Sequence, residues 1–413
     1  MSLATPAADE GWERPAHVPP DLARNVDIFG ADRPGADPFE TLAGLQRGPR
    51  VFFNLNKSPV MAYMGGYWML TRAEDMRAAL QQPGMFSSAD TGGFSRLIGE
   101  AWKLIPLELD PPEHTKWRTV MNGIFAPRKI ADLEAGVRAR AIGLVDAIAG
   151  KGGCEFMEAF GRPFPVGVFM QLMGLPEEDT DKFMAWEYGL LHSHDMPQIL
   201  TAAQATVVYL RELIARRKRE PADDLTTFCI NAQIDGRPVA DDEIVGMCFL
   251  LFLAGLDTVA AALGLSFRHL ALHPEHQAQL RARPELIPDA VEELLRRYSM
   301  ITSSRLVTED MEFAGAPMRQ GDRVIFSTPL ANLDAGEFDQ PLAVDFERTP
   351  NRHVAFLYGP HRCLGSHLAR RELIIAMQEF LQRTPPFRLA PGETAAIAPG
   401  GVVNVPKLQL TWT

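Results

Sequence analysis

Cysteine is scarce in this chain: four residues, Cys154, Cys229, Cys248 and Cys363, among 413. None belongs to a CxxC pair, which excludes a zinc ribbon or a thioredoxin-like motif. Thiols so few and so widely spaced fit a reducing, cytoplasmic setting. Cys229 and Cys248 lie among apolar neighbours and read as small buried hydrophobes. Basic charge is also in short supply, with 41 Lys and Arg against 52 Asp and Glu and a net charge of −11. The chain therefore has no global attraction for nucleic acid or anionic lipid. No GxGxxG follows a strand, so the flavin and nicotinamide fingerprints are missing. Residues Met1–Gly30 have no apolar run after a basic start, hence no signal-peptide pattern. Long apolar runs are missing too, with one exception. From Ile244 to Phe267 the only formal charge is Asp257, and that length would span a bilayer. A carboxylate in mid-membrane costs about 3 kcal/mol. With no second such segment, the run reads as a fully buried helix of a protein without a membrane role.

What remains is ordinary globular material: 46% hydrophobic and 23% charged residues, with no repeat and no Gly/Ser linker. One domain over residues 1–413 is expected, mostly α with small β sheets (α+β). Gly66–Thr71 predicts a strand, and Ala73–Gln82 a helix with Met76, Ala79 and Leu80 on one face. Asp110-Pro111-Pro112-Glu113 predicts a helix start capped by Asp110. Helical spacing continues over Leu133–Ala149, Ile199–Arg219, Asp241–His269 and Pro274–Arg281, then from Pro284 to about Tyr298. Strand patterns follow at Met311–Phe313 and Val324–Phe326. Leu333–Gly365 is a long irregular stretch, a length that usually carries function. Ser366–Gln382 predicts the last helix, with Ala369, Leu373, Met377 and Phe380 in its apolar stripe.

That irregular stretch ends in Phe356-Leu357-Tyr358-Gly359-Pro360-His361-Arg362-Cys363-Leu364-Gly365. A thiol just before a helix meets free N–H groups and the positive end of the helix dipole, both of which favour thiolate. Such a thiolate serves as a nucleophile or a metal ligand, or the residue is an inert buried thiol beside turn glycines. A zinc reading through His361, Cys363 and His367 lacks a fourth ligand. Glycines at 359 and 365 would let the backbone approach a flat, bulky group.

The pattern FxxGxxxCxG at Phe356, Gly359, Cys363 and Gly365 resembles the haem-binding signature of the cytochrome P-450 family. Glu293-Leu294-Leu295-Arg296 resembles the family's ExxR motif. Ala254-Gly255-Leu256-Asp257-Thr258 resembles its oxygen-activation motif. All three stand in the family's order and spacing. ExxR also occurs at Glu74–Arg77, so alone it decides nothing. HVPP (from His17), GEAW before DPPE, EELLRRYS and CLGSHLARRE extend the likeness to bacterial camphor-type hydroxylases over nearly the whole chain.

The resemblance implies a single haem-binding P-450 domain with haem b (iron protoporphyrin IX), Cys363 as the iron's thiolate ligand, and Ala254, Phe356 and Gly365 beside the cofactor. His114, Arg118, Arg305 and His361 match propionate-binding positions. Asp257 and Thr258 are the catalytic pair, an acid beside an alcohol that relays protons during dioxygen activation. The Thr258 hydroxyl can bond back to the Ala254 carbonyl and loosen the helix, while Ala254 and Gly255 leave room for dioxygen. Glu293 and Arg296 form a structural ion network with Arg348 or His353. Leu250, Leu253, Ala254, Ile301 and Val402 match pocket-lining positions and imply a small apolar substrate, terpenoid or norisoprenoid-like. Trp102 stands where relatives carry a polar aromatic donor, and reads equally as core packing.

The implied reaction is hydroxylation with dioxygen and two electrons from a [2Fe-2S] ferredoxin, docking on a basic patch of Arg77, Lys116 and Arg362. A peroxide-driven peroxygenase and a non-catalytic haem sensor are the alternatives. One departure stands out. Leu357 occupies the position where the family usually has glycine, and leucine resists positive φ. A reshaped loop is the expectation.

Overall fold

Tyr67-Trp68-Met69-Leu70 form the strand that their pattern predicts, and all four side chains are buried. They can be so because this strand sits inside a sheet covered on both faces. The structure is a computed structural model and describes residues 14–28, 37–55, 65–89, 93–193 and 195–413. Residues 1–13 and 29–30 of the segment read for a signal peptide lie outside the described residues. The chain sorts into two units interleaved along the sequence.

The first unit draws on residues up to Ala89, then Pro288–Cys363 and Thr394–Pro406. Its six-stranded mixed sheet runs Ala23–Arg24, Val51–Asn54, Tyr67–Leu70, Arg323–Ser327, Thr302–Val307, Phe86–Ser87. Arg323–Ser327 pairs parallel to Tyr67–Leu70 and antiparallel to Thr302–Val307. Phe53 packs edge-on to Trp68, with ring centroids 5.1 Å apart. The helix Ala73–Leu80 adds Met76, Ala79 and Leu80 to the same core, which Val354 joins from the irregular stretch.

The second unit takes Asp90–Ile287, Leu364–Glu393 and Lys407–Thr413. It is helical apart from two small sheets, the larger of three strands, Phe387–Leu389, Gln409–Trp412 and Gly153–Glu155. Phe156, Phe267 and Phe380 knit its core, with Phe156 stacked on Phe267 at 4.4 Å and Phe380 edge-on to it at 4.9 Å. The central helix Asp241–Leu272 is the one span among the described residues long and apolar enough to cross a membrane, and 78% of its most apolar window is buried in the protein's own interior. Its apolar surface is consumed by packing.

Two local expectations need correction. The helix after Asp110 begins at Glu113 with Pro112 at its N-cap position and no side-chain cap. Asp110 instead offers its main-chain carbonyl, 2.9 Å from the His114 nitrogen. The helix predicted from Leu133 begins six residues earlier, at Pro127. Its polar first turn hides the apolar period, and proline at the first helical position was the overlooked signal.

Candidate haem-thiolate site

The cysteine loop closes on itself within the first unit. The Cys363 N–H donates to the Phe356 carbonyl at 2.9 Å, and the Arg362 N–H to that of Gly359 at 3.1 Å. Leu357 does take the left-handed conformation, with φ 58°. The expectation that leucine would reshape the loop is therefore overturned. An L-residue there costs about 1–2 kcal/mol, and the loop offsets it by packing Leu357 against the apolar cluster of Leu80, Phe86 and Val354. Gly359, at φ 72°, has no substitute: a Cβ would stand 2.2 Å from the Leu80 carbonyl oxygen. Gly365 is different. Its φ of −80° suits any residue, and a Cβ there would meet nothing within 4 Å. Neither backbone nor packing demands glycine at 365, which fits a flat group held against it.

The four thiols separate cleanly. Cys229 and Cys248 are buried, and Cys248 is held protonated by its hydrogen bond to Cys229 and by burial. Burial and Glu155 push the Cys154 thiol up to about 12. Cys363 is exposed. Of the four thiols it alone lies at the surface.

Glu293 and Arg296 are completely buried on the helix Ile287–Arg297. Arg296 Nε and Nη2 each donate to the Glu293 carboxylate at 2.8 Å. Arg348 Nε and Asn351 Nδ2 donate to it at 3.1 Å, and the Asp345 N–H at 3.0 Å. Arg296 also holds the carbonyls of Asn332, Pro341 and Ala343. The pair thus pins the irregular stretch at several points. Of the two partners expected, Arg348 takes Glu293, whereas His353 pairs with Glu292 at 2.9 Å. Asn332 and Asn351 were missed. Asn332 Oδ1 accepts from the Val354 N–H at 2.8 Å, a role invisible without the fold.

In the second unit, one broad face in the middle of the central helix is not fully buried. Leu250, Leu251, Leu253, Gly255 and Thr258 stay partly accessible and Ala254 is exposed. The Thr258 hydroxyl donates to the Ala254 carbonyl at 3.0 Å. Gly255 also has a packing reason: a Cβ there would lie 2.7 Å from the Phe169 ring.

Asp257 is buried, and its Oδ1 lies 3.1 Å from His192 Nε2. Glu187 Oε1 approaches the same nitrogen at 3.1 Å. Burial alone would lower the His192 pKa, but hydrogen bonds and charge from the two acids outweigh it and push it up to about 10. Burial raises that of Glu187. His192 was missed because no local pattern ties it to a helix 65 residues away.

The cationic positions fall in both units. His114, buried, and Arg118, whose Nε donates to Asn122 Oδ1 at 3.1 Å, share the helix Glu113–Asn122 of the second unit. In the first, Arg305 is buried on Thr302–Val307 with Nη1 on Ser303 Oγ at 2.9 Å, and His361 is half-buried. Imidazole and guanidinium donors of this kind suit the two propionates of haem. Ile301 and Val402 pair across a β-bridge in the first unit, both half-buried.

Trp102 spends its single indole N–H on Glu100 and packs against Phe249, the rings tilted at 49° with centroids 4.9 Å apart. Its donor is taken, which favours the packing role over a substrate contact. The expected basic patch is likewise modified. Arg77 pairs with Glu337 at 2.7 Å and Lys116 with Asp235 at 2.6 Å, so both charges are largely balanced.

A model of the cytochrome P450 family matches residues 190–403. A Sinorhizobium fredii protein described as "Probable cytochrome P450 127A1" is 41% identical over 406 residues, covering 96% of each chain. The mycinamicin IV hydroxylase/epoxidase of Micromonospora griseorubida is 34% identical over 392 residues, 92% of this chain and 95% of its own. The crystal structure of cytochrome P450 CYP101C1 matches with a TM-score of 0.86 and 34% identity, covering 97% of this chain and 100% of its own. With identity of that order running through nearly the full length, the protein belongs to the cytochrome P450 family and is a monooxygenase that uses haem b.

Proposed function

We propose that the whole chain acts as one cytoplasmic catalytic domain that hydroxylates a small apolar substrate, terpenoid or norisoprenoid-like, with electrons from a [2Fe-2S] ferredoxin. The observation that carries the substrate class is the accessible face of the central helix, where Leu250, Leu253 and Ala254 offer only hydrocarbon. When bound, haem supplies the iron at which dioxygen is activated, and one oxygen atom enters a C–H bond while the other leaves as water. Cys363 would hold that iron, its thiolate favoured by exposure and by the helix start after Gly365. His114, Arg118, Arg305 and His361 would hold the propionates.

Thr258 and Asp257 would move protons. The Thr258 hydroxyl, which at rest donates to the Ala254 carbonyl, would turn its single O–H from that carbonyl toward the reacting oxygen and take a replacement proton from the Asp257 side. Asp257 is adjacent in sequence, and its Oδ1 lies 3.1 Å from His192 Nε2. Exposed Arg362, next to Cys363, is a site at which an acidic ferredoxin would dock.

The test is a screen of terpenoids, norisoprenoids and small aromatics read by the haem spin-state change. Compact apolar compounds should shift the spectrum. No shift with any of them would overturn the substrate class. The reduced, carbon-monoxide-bound spectrum should show a thiolate-type red-shifted band that is absent from Cys363→Ala.

A further inference from the structure

The central helix ends at Leu272, and the helix Pro274–Ala282 begins two residues later. Three imidazoles are piled at that joint. The His269 and His273 rings stack with centroids 4.3 Å apart, and His269 and His276 at 5.0 Å. His269 is buried, and its Nε2 lies 2.8 Å from His276 Nδ1. Glu275 Oε1 lies 3.0 Å from His273 Nδ1. One ligand atom from each of His273, Glu275 and His276 can be chosen so that all lie within 4.8 Å of one another.

We propose that His273, Glu275 and His276 form a surface site for a divalent transition-metal ion, zinc foremost, supported by His269. The donor set carries the choice of metal. Two imidazoles and one carboxylate suit zinc and its neighbours, whereas magnesium and calcium want oxygen alone. Ion–ligand bonds of about 2.0–2.2 Å require neighbouring ligand atoms about 3.3 Å apart in a tetrahedron. The three residues reach that by side-chain rotation alone, since His273 and Glu275 are substantially exposed.

His269 plays the outer part. Two imidazole nitrogens 2.8 Å apart share one proton, so one ring must donate and the other accept. If His276 donates through Nδ1, its tautomer is fixed and Nε2 carries the lone pair. A ligand histidine is usually braced in this way by a partner on its second nitrogen. Chelation would tie the last turn of the central helix to the first turn of the next. The site is independent of the proposed substrate and relay.

The experiment is calorimetric titration of the haem-loaded protein with Zn²⁺, after chelator treatment and in a non-coordinating buffer. Saturable one-to-one binding is expected, with proton release and with weaker binding as pH falls below the histidine range. His273→Ala and His276→Ala should each abolish the saturable phase. His269→Ala should weaken it about 10–100-fold, as loss of an outer support does. An unchanged Soret band certifies that each variant is folded. Absence of saturable binding in the parent protein overturns the proposal. So does binding that survives in the His273→Ala/His276→Ala double variant, because the ion then sits elsewhere.

Discussion

Glu293→Gln and Glu292→Gln change neighbouring residues in the same way, and the structure predicts very different outcomes. Glu293 is completely buried and receives donors from Arg296, Arg348, Asn351 and the Asp345 N–H. An amide of the same shape removes the charge and turns two N–H bonds toward groups that can only donate. It leaves Arg296 as a buried cation without its counter-charge. Breaking a buried pair on one side costs about 3–5 kcal/mol. Against a total stability of about 5–15 kcal/mol for a typical domain, that is a fifth or more. Glu292 has a side chain 29% exposed and pairs with His353. A glutamine oxygen still accepts from an imidazole N–H, so the loss should stay within about 1 kcal/mol, as for a surface pair. The assay is urea unfolding followed by Soret absorbance and tryptophan fluorescence together. Glu293→Gln should lower both midpoints sharply and lose the red-shifted carbon-monoxide band, while Glu292→Gln keeps both. Similar midpoints for the two variants would refute the reasoning that the buried network holds the irregular stretch.

Gly359→Ala combines a positive φ with a contact 2.2 Å from the Leu80 carbonyl. It should cost about 2–5 kcal/mol from strain and overpacking together, seen as haem loss at lower temperature than in the parent protein. Leu357→Gly relieves about 1–2 kcal/mol of left-handed strain but gives up part of a leucine's burial, about 1 kcal/mol, and frees the unfolded chain by a similar amount. A net change within about 1 kcal/mol in a thermal melt is expected, and a large loss would mean the leucine is needed for more than packing. His192 has its pKa raised from 6.5 to about 10. Its pairing therefore contributes stability in full below about pH 6.5, and that contribution fades as pH rises through about 10. His192→Phe should flatten the fall in melting temperature across that window. It should also shift the pH profile of turnover, because Asp257 would then face Glu187 without a cation between them.

The order of motifs made the family legible, and short-range chemistry made some details legible too. Thr258 and Ala254 are one helical turn apart, so their bond could be anticipated from spacing. Glu293 and Arg296 are three apart, and the same holds for them. What escaped lies at long range. Asn351, Asn332 and His192 act on partners 58, 22 and 65 positions away, and no periodicity encodes such pairs. Leu357 escaped for another reason. Its intrinsic preference was read correctly, but the packing that overrides it comes from the helix Ala73–Leu80 and from Phe86. The close fit of Gly255 against Phe169 likewise could not be read from local sequence.

The segregation of the four thiols has a practical consequence for handling the haem-free protein. Three are chemically quiet: Cys229 and Cys248 through burial, Cys154 because its thiol is pushed up to about 12. An alkylating reagent or dissolved peroxide offered to the apoprotein would therefore find Cys363 first. Capture by an alkylator is permanent, and oxidation past the sulfenic acid is not reversed by ordinary reductants. With Cys363 as the proposed iron ligand, reconstitution would then fail at that sulfur. A single exposed thiol is equally a convenience. On the same proposal, the fraction of chain resisting alkylation after haem addition would count the molecules in which the iron has been captured.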